Sequence, residues 1–226
     1  MSPRLVELAS QPPAAVEPEP APVSFEGRDV DEDTFLDVLD DAVDALEGSG
    51  VPYAALGGLA SAVYGRQRWT HDADFFVRER HDAGVALEHL RAAGFATQET
   101  DDNWIYKGIK RGVLVDVLFK AKGDIYYDEE MIARTQRREF KARTLPVIPP
   151  EDLIVIKAII HDEATPRHWY DALGIIAGTE LDWDYLLSRS TRGPRRMLSL
   201  LVYAQSIDLI VPDRAVKELT AAIYDV

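Results

Sequence analysis

The sequence contains no cysteine. Disulfide cross-links and thiolate-bound metals are thereby excluded, and a chain without either fits a cytosolic compartment. No run of apolar residues approaches the ~18 needed to cross a bilayer. The N-terminus has no apolar stretch behind a basic start, so no secretory leader is expected. Histidine is scarce, with five residues and no H-x-x-x-H pair. No internal repeat is visible. From these absences a soluble, cytoplasmic protein is expected.

What is present is apolar substance and unevenly placed charge. The chain has 226 residues, 46% of them hydrophobic, which suffices for one large domain or one domain with an appendage. Of the formal net charge of −14, residues 1–50 contribute −11, from 13 Asp/Glu against two Arg. Residues 104–145 carry ten Lys/Arg against six Asp/Glu, a local +4. The overall acidity therefore does not exclude an anionic partner, although a solvated surface also explains so small an excess.

Residues 1–28 hold six prolines (Pro3, Pro12, Pro13, Pro18, Pro20, Pro22) and no periodic apolar pattern, so residues 1–30 are expected to form a disordered acidic tail. From Asp31, Phe35, Leu36, Leu39, Ala42, Val43 and Leu46 recur at helical spacing, and Gly48 and Gly50 end the run. VPYAALGG reads as a short strand entering a glycine turn, followed by a small helix over 59–64. Strand 72–77, helix 83–93 and a hairpin of 104–110 with 113–119 around Arg111-Gly112 follow. A helical turn near 128–134 and a strand near 138–145 complete this portion. Beyond Pro149-Pro150 the pattern is helical, at about 150–161, 168–177, 182–188, 194–206 and 213–224. The order predicts an α/β (α+β) core over 31–147, with a mixed sheet flanked by helices, and a helical region over 148–226.

Within this pattern two aspartates stand where apolar residues belong. Alternate residues of a strand share a face, so Asp72 and Asp74 point together while Ala73, Phe75 and Val77 face the core. Their α-carbons would lie roughly 6–7 Å apart, a repulsive arrangement unless a cation intervenes. No Lys or Arg occurs within the run, and a divalent cation with hard oxygen ligands would serve. In GVLVDVLFK, Asp116 likewise interrupts an apolar run typical of a central strand, where an unpaired charge is costly. If that strand lies beside 72–77, Asp116 completes a three-carboxylate cluster. Gly57-Gly58, at a strand-to-helix turn, lets backbone approach a ligand closely and favours an anion. Carboxylates, metal and phosphate together point to phosphoryl or nucleotidyl transfer.

Leu56-Gly57-Gly58, a spacer of about a dozen residues, Asp72-Ala73-Asp74 and a later Asp116 resemble the signature of the nucleotidyltransferase superfamily of the DNA polymerase β type. The local form RWTHDADFFV resembles the R-x-T-x-D-x-D-x-x-V version of small bacterial members near the AbiEii toxin-like branch. PPEDLIVIKAII and TPRHWYDALGII resemble the two following helices of that branch, with Lys157 and Asp171 at the matching positions. The resemblance covers roughly residues 50–190. It implies that Asp72, Asp74 and Asp116 bind two Mg2+ (or Mn2+), with Asp116 also helping to deprotonate an attacking hydroxyl. It implies that Gly57 and Gly58 hold the triphosphate of an NTP, with Arg68, Thr70, Lys157 and Asp171 as further nucleotide-side contacts. Lys157 also stands out from its surroundings, because Leu153, Ile154 and Ile160 place it in an apolar helical stripe from which its ammonium could reach a phosphate. His168-Trp169-Tyr170 replace the basic residues that commonly precede the acid in that branch.

Three other readings compete. A phosphohydrolase of the HD type would use His-Asp pairs, present at His71-Asp72, His81-Asp82 and His161-Asp162, but the latter two sit at helix ends and further histidines are lacking. A non-catalytic nucleotide-binding module with the same fold is countered by the presence of all three acids. An antitoxin-like interaction protein in a two-gene toxin–antitoxin system would use the acidic tail and the first helix. For an enzyme, the acceptor hydroxyl could belong to an RNA 3′ end (tRNA included), a protein or a small molecule, and the basic 104–145 segment leans towards RNA.

Overall fold

The computed structural model describes residues 24–65, 70–141 and 143–224. Of the expected tail, residues 1–23 lie outside this description. Residues 24–31 have no regular structure, yet the Arg28 N–H donates to the Gly112 carbonyl at 2.9 Å.

Order begins with helix α1 (Glu32–Ser49), where the Asp31 carboxylate accepts the Thr34 N–H, and ends at Gly50 with φ of 71°. Its buried stripe contains Phe35, Val38, Leu39, Ala42, Val43 and Leu46. Val38 takes the buried place expected for Leu36, which is only half-buried. The chain continues through β1 (Tyr53–Ala55), α2 (Gly57–Val63), β2 (Asp72–Val77), α3 (Arg80–Ala92), β3 (Ala96–Glu99), β4 (Ile105–Lys110) and β5 (Val113–Leu118). Then come α4 (Glu129–Arg134), β6 (Gln136–Phe140), β7 (Arg143–Val147) and the helices α5 (Pro150–Ile160), α6 (Arg167–Gly178), α7 (Trp183–Arg189), α8 (Pro194–Ser206) and α9 (Asp213–Tyr224).

The strands form one mixed sheet in the order β3-β4-β5-β2-β1-β7-β6, with β2–β5 and β1–β7 parallel and the other pairs antiparallel. The fold is α/β, as the element order implies. Helices α1 and α3 pack together on the β4–β5 side, and α2 packs against β2 and β6. Helices α5 and α6 pack against α2 and against each other.

Two elements depart from the sequence pattern. Strand β3 has no apolar alternation, because its residues are half-buried or exposed at the sheet edge. The single strand expected near 138–145 is a hairpin, β6 and β7, turning at Lys141 with φ of 53°. Strand β6 reads QRREF and is almost wholly exposed, so a hydrophobic pattern could not reveal it. A charged edge strand of this kind also resists pairing with another chain.

The acidic α1 meets the basic half of the sheet. Arg111 pairs with Asp37 (3.1 Å), Lys110 with Asp41 (2.7 Å), Arg137 with Glu47 (2.8 Å) and Lys141 with Glu32 (2.9 Å). Arg143 reaches both Asp40 and Asp44. Half of the ten basic residues in 104–145 are therefore engaged by α1, so the local excess of positive charge is offset within the fold and no longer argues for RNA. Such part-exposed pairs contribute little individually, about 0–1 kcal/mol.

Candidate active site

Strand β2 is interior, and its parallel pairing with β5 sets the site. The register aligns Asp72 with Leu114 and Asp74 with Asp116. Directly opposed residues of adjacent strands lie roughly 5 Å apart and share a face. Asp72, Asp74 and Asp116 therefore share one face of the sheet. Farther along that face Phe76 stacks on Tyr127, with ring centroids 5.8 Å apart, so the acids sit at the open end of a surface that is otherwise covered.

The glycine turn closes on the middle acid. Gly57 has φ of 62°, and a β-carbon there would lie 1.8 Å from Asp74 Oδ2. No residue other than glycine fits without moving that carboxylate. The Leu56 N–H donates to the Asp74 carbonyl at 3.0 Å, and the Gly58 N–H bonds the Asp74 carboxylate. Backbone from β1 and α2 thus fixes Asp74 from one side.

Electrostatics at the cluster follow from crowding. Burial, then the neighbouring Asp72 and Asp116 charges, push the Asp74 carboxyl up from 3.8 to about 7, against the opposing pull of Lys157 and the Gly58 N–H. Asp116 is also raised, chiefly by burial, while Lys107 draws it down. Each acid has its own partner. The Thr70 hydroxyl donates to Asp72 Oδ1 at 2.8 Å, and the Lys107 ammonium donates to Asp116 Oδ1 at 3.2 Å.

Lys157 on α5 is 2% exposed and donates to Asp171 of α6 at 2.8 Å. It lines the cavity at the acids. Asp171, with no exposed side-chain surface, does not line it, and lies behind the lysine as its anchor. Arg68 lies outside the described residues. The cavity measures about 620 Å³, and Gly57, Gly58, Asp72 and Asp74 are among the residues that line it. Lys120, Lys122, Trp104 and His168 line it as well.

Three hard carboxylates beside a backbone turn shaped by glycine fit a divalent cation in donor chemistry. They do not yet converge, since among the described residues no three His, Cys, Asp or Glu side chains are grouped closely enough to enclose an ion. Asp72 is engaged instead by Thr70, and Asp116 by Lys107.

Residues 35–188, more than half of the chain, match the family described as "Nucleotidyl transferase of unknown function (DUF2204)". The chain belongs to this family. It matches no curated relative by sequence. Among solved structures it is similar to an antigenic nucleotidyltransferase-like protein from Paracoccidioides brasiliensis, with a TM-score of 0.53 and 16% identity, covering 80% of this chain and 91% of that one. It is also similar to the antibiotic-resistance factor ANT(2'')-Ia, with a TM-score of 0.50 and 16% identity, covering 86% and 94%. At these identities the likeness is one of fold.

For this nucleotidyl transferase family member, several residues of the site escaped the sequence reading. Lys107 was recoverable: a two-residue turn at Arg111-Gly112 pairs Lys110 with Val113, and counting back pairs Lys107 with Asp116. Lys120, Lys122 and Trp104 leave no such signal, because they come from strand ends and a loop whose path is set by tertiary packing.

Proposed function

We propose that this chain transfers a nucleoside monophosphate from an NTP to a hydroxyl acceptor, releasing pyrophosphate. The observation that carries this reading is the β2–β5 register that sets Asp74 against Asp116 while Gly57 presses on the Asp74 carboxylate. Asp72, Asp74 and Asp116 would hold Mg2+ or Mn2+, which when bound supplies charge stabilisation to the entering and leaving oxygens of an in-line displacement. Asp116, on the β4 side of the cluster, would accept the acceptor hydroxyl proton. Gly57 and Gly58 would present backbone to the triphosphate, and Thr70 holds Asp72 by its hydroxyl. Lys157, held by Asp171, faces the cavity as a phosphate contact. Arg68 is proposed as a further phosphate-side contact on the strength of the R-x-T-x-D-x-D pattern.

The acceptor is a hydroxyl of RNA, of a protein or of a small molecule, and one experiment separates them. The full chain is incubated with each labelled NTP, Mg2+ and either total RNA or cell extract. Label moving to RNA, to protein or to a low-mass product names the class, and Asp72→Asn or Asp74→Asn should abolish it. Equal labelling by wild type and both variants would overturn the reading. No transfer to any acceptor, with NTP still bound, would instead favour a non-catalytic nucleotide-binding module of the same fold.

A further inference from the structure

Lys107 is a cation built into the carboxylate cluster from outside the family's signature. It projects from β4 directly opposite Asp116, its ammonium 3.2 Å from Oδ1. The pair is only part-buried, with Lys107 26% and Asp116 13% exposed. Of the partners engaging the three acids, the Thr70 hydroxyl and the Gly58 N–H are neutral dipoles. The other nearby ammonium, Lys157, is bonded at 2.8 Å to the buried Asp171 carboxylate. Lys107 is thus a cation in direct contact with one acid of the cluster, while Lys157 adds its charge at Asp74.

Resting on the proposed metal-dependent transfer, we infer that Lys107 is a gatekeeping positioning residue that occupies Asp116 and must be displaced before that carboxylate can join a divalent ion. The chemistry of the side chain suits displacement. An ammonium on a flexible four-carbon stem makes a single-point contact, and at 26% exposure it has solvent to swing into. A divalent ion presents twice the charge and binds several oxygens at once. The displaced ammonium swings into solvent on the β4 side and leaves the Asp116 oxygens to the ion. Occupation by Lys107 thus weakens divalent binding while no nucleotide is present to contribute phosphate oxygens.

The test is Mn2+ titration of the full chain, followed by electron paramagnetic resonance, without nucleotide and at fixed ionic strength. Removing one positive charge a few ångströms from the cluster should tighten Mn2+ binding about tenfold in Lys107→Met. Lys107→Arg should stay within about twofold of wild type, because it retains the charge. Unchanged or weaker Mn2+ binding by Lys107→Met would overturn the inference and leave the contact as a cross-strand pair supporting the sheet. Thermal melting of both variants keeps the result readable, since a purely structural pair lowers stability without altering Mn2+ affinity. Asp74→Asn is titrated in parallel. If it binds Mn2+ like wild type, the metal reading of the whole cluster fails, whereas its loss of Mn2+ with an indifferent Lys107→Met sinks only the role given to Lys107.

Discussion

Replacing Asp74 with asparagine should stabilise the protein while destroying the proposed chemistry. Burial and the Asp72 and Asp116 charges raise the Asp74 carboxyl to about 7 in the folded state, against 3.8 for an ordinary one. The folded protein therefore holds this proton more tightly than the unfolded chain, and stability falls as pH rises from about 4 through about 7. Fully expressed, that displacement amounts to at most about 4 kcal/mol. Because Asp74 opens onto the cavity, solvent screening reduces the expected figure to about 1–3 kcal/mol. Asparagine keeps the shape and an oxygen for the Gly58 N–H but carries no charge. With divalent cations chelated, Asp74→Asn should melt about 3–9 °C above wild type at pH about 8. The gain should shrink to roughly a third at pH about 5, where most wild-type Asp74 is protonated in the folded state. Mg2+ should raise the wild-type Tm and leave the variant unmoved. A variant no more stable than wild type at the higher pH, or a gain independent of pH, would refute the account of a crowded, uncompensated carboxylate.

Other outcomes follow from the same geometry. Gly57→Ala sets a methyl group 1.8 Å from Asp74 Oδ2 at a φ of 62°. It should abolish transfer and change the pH dependence of melting, and wild-type turnover by this variant would show that the turn does not hold Asp74. Asp171→Asn removes the carboxylate facing a lysine only 2% exposed, so denaturant titration should show a loss of about 3–5 kcal/mol. The double change Lys157→Met with Asp171→Leu should recover much of that stability without recovering NTP affinity, and recovered affinity would remove Lys157 from the nucleotide site. Arg111→Ala, which breaks one exposed pair with α1, should cost less than about 1 kcal/mol by the same titration, and a larger loss would mean that α1 is held by its charges rather than its apolar stripe.

How much of this was legible beforehand depended on whether a residue's role is local. Asp72 and Asp74 stood out because they place charge in an otherwise apolar strand, and the boundaries of α8 and α9 followed from their apolar spacing. Gly57-Gly58 was visible as a turn, but its contact with Asp74 required the return of β2 alongside β1. Strands β3 and β6 were hidden because edge strands need no apolar alternation. The partners that engage half of the basic residues of 104–145 were out of view for a related reason: they lie on α1, some 70 to 110 residues earlier in the chain.

The sequence by itself determined most of the element order and the three intrusive acids, since these are carried by periodicity and short spacings, and its motifs carried the resemblance to the nucleotidyltransferase superfamily. Tertiary structure alone decided which charges would be neutralised and by whom. Lys157 was assigned to Asp171 and the basic hairpins to α1, because Coulomb interactions act through space and the chain brings these partners together only when the fold closes.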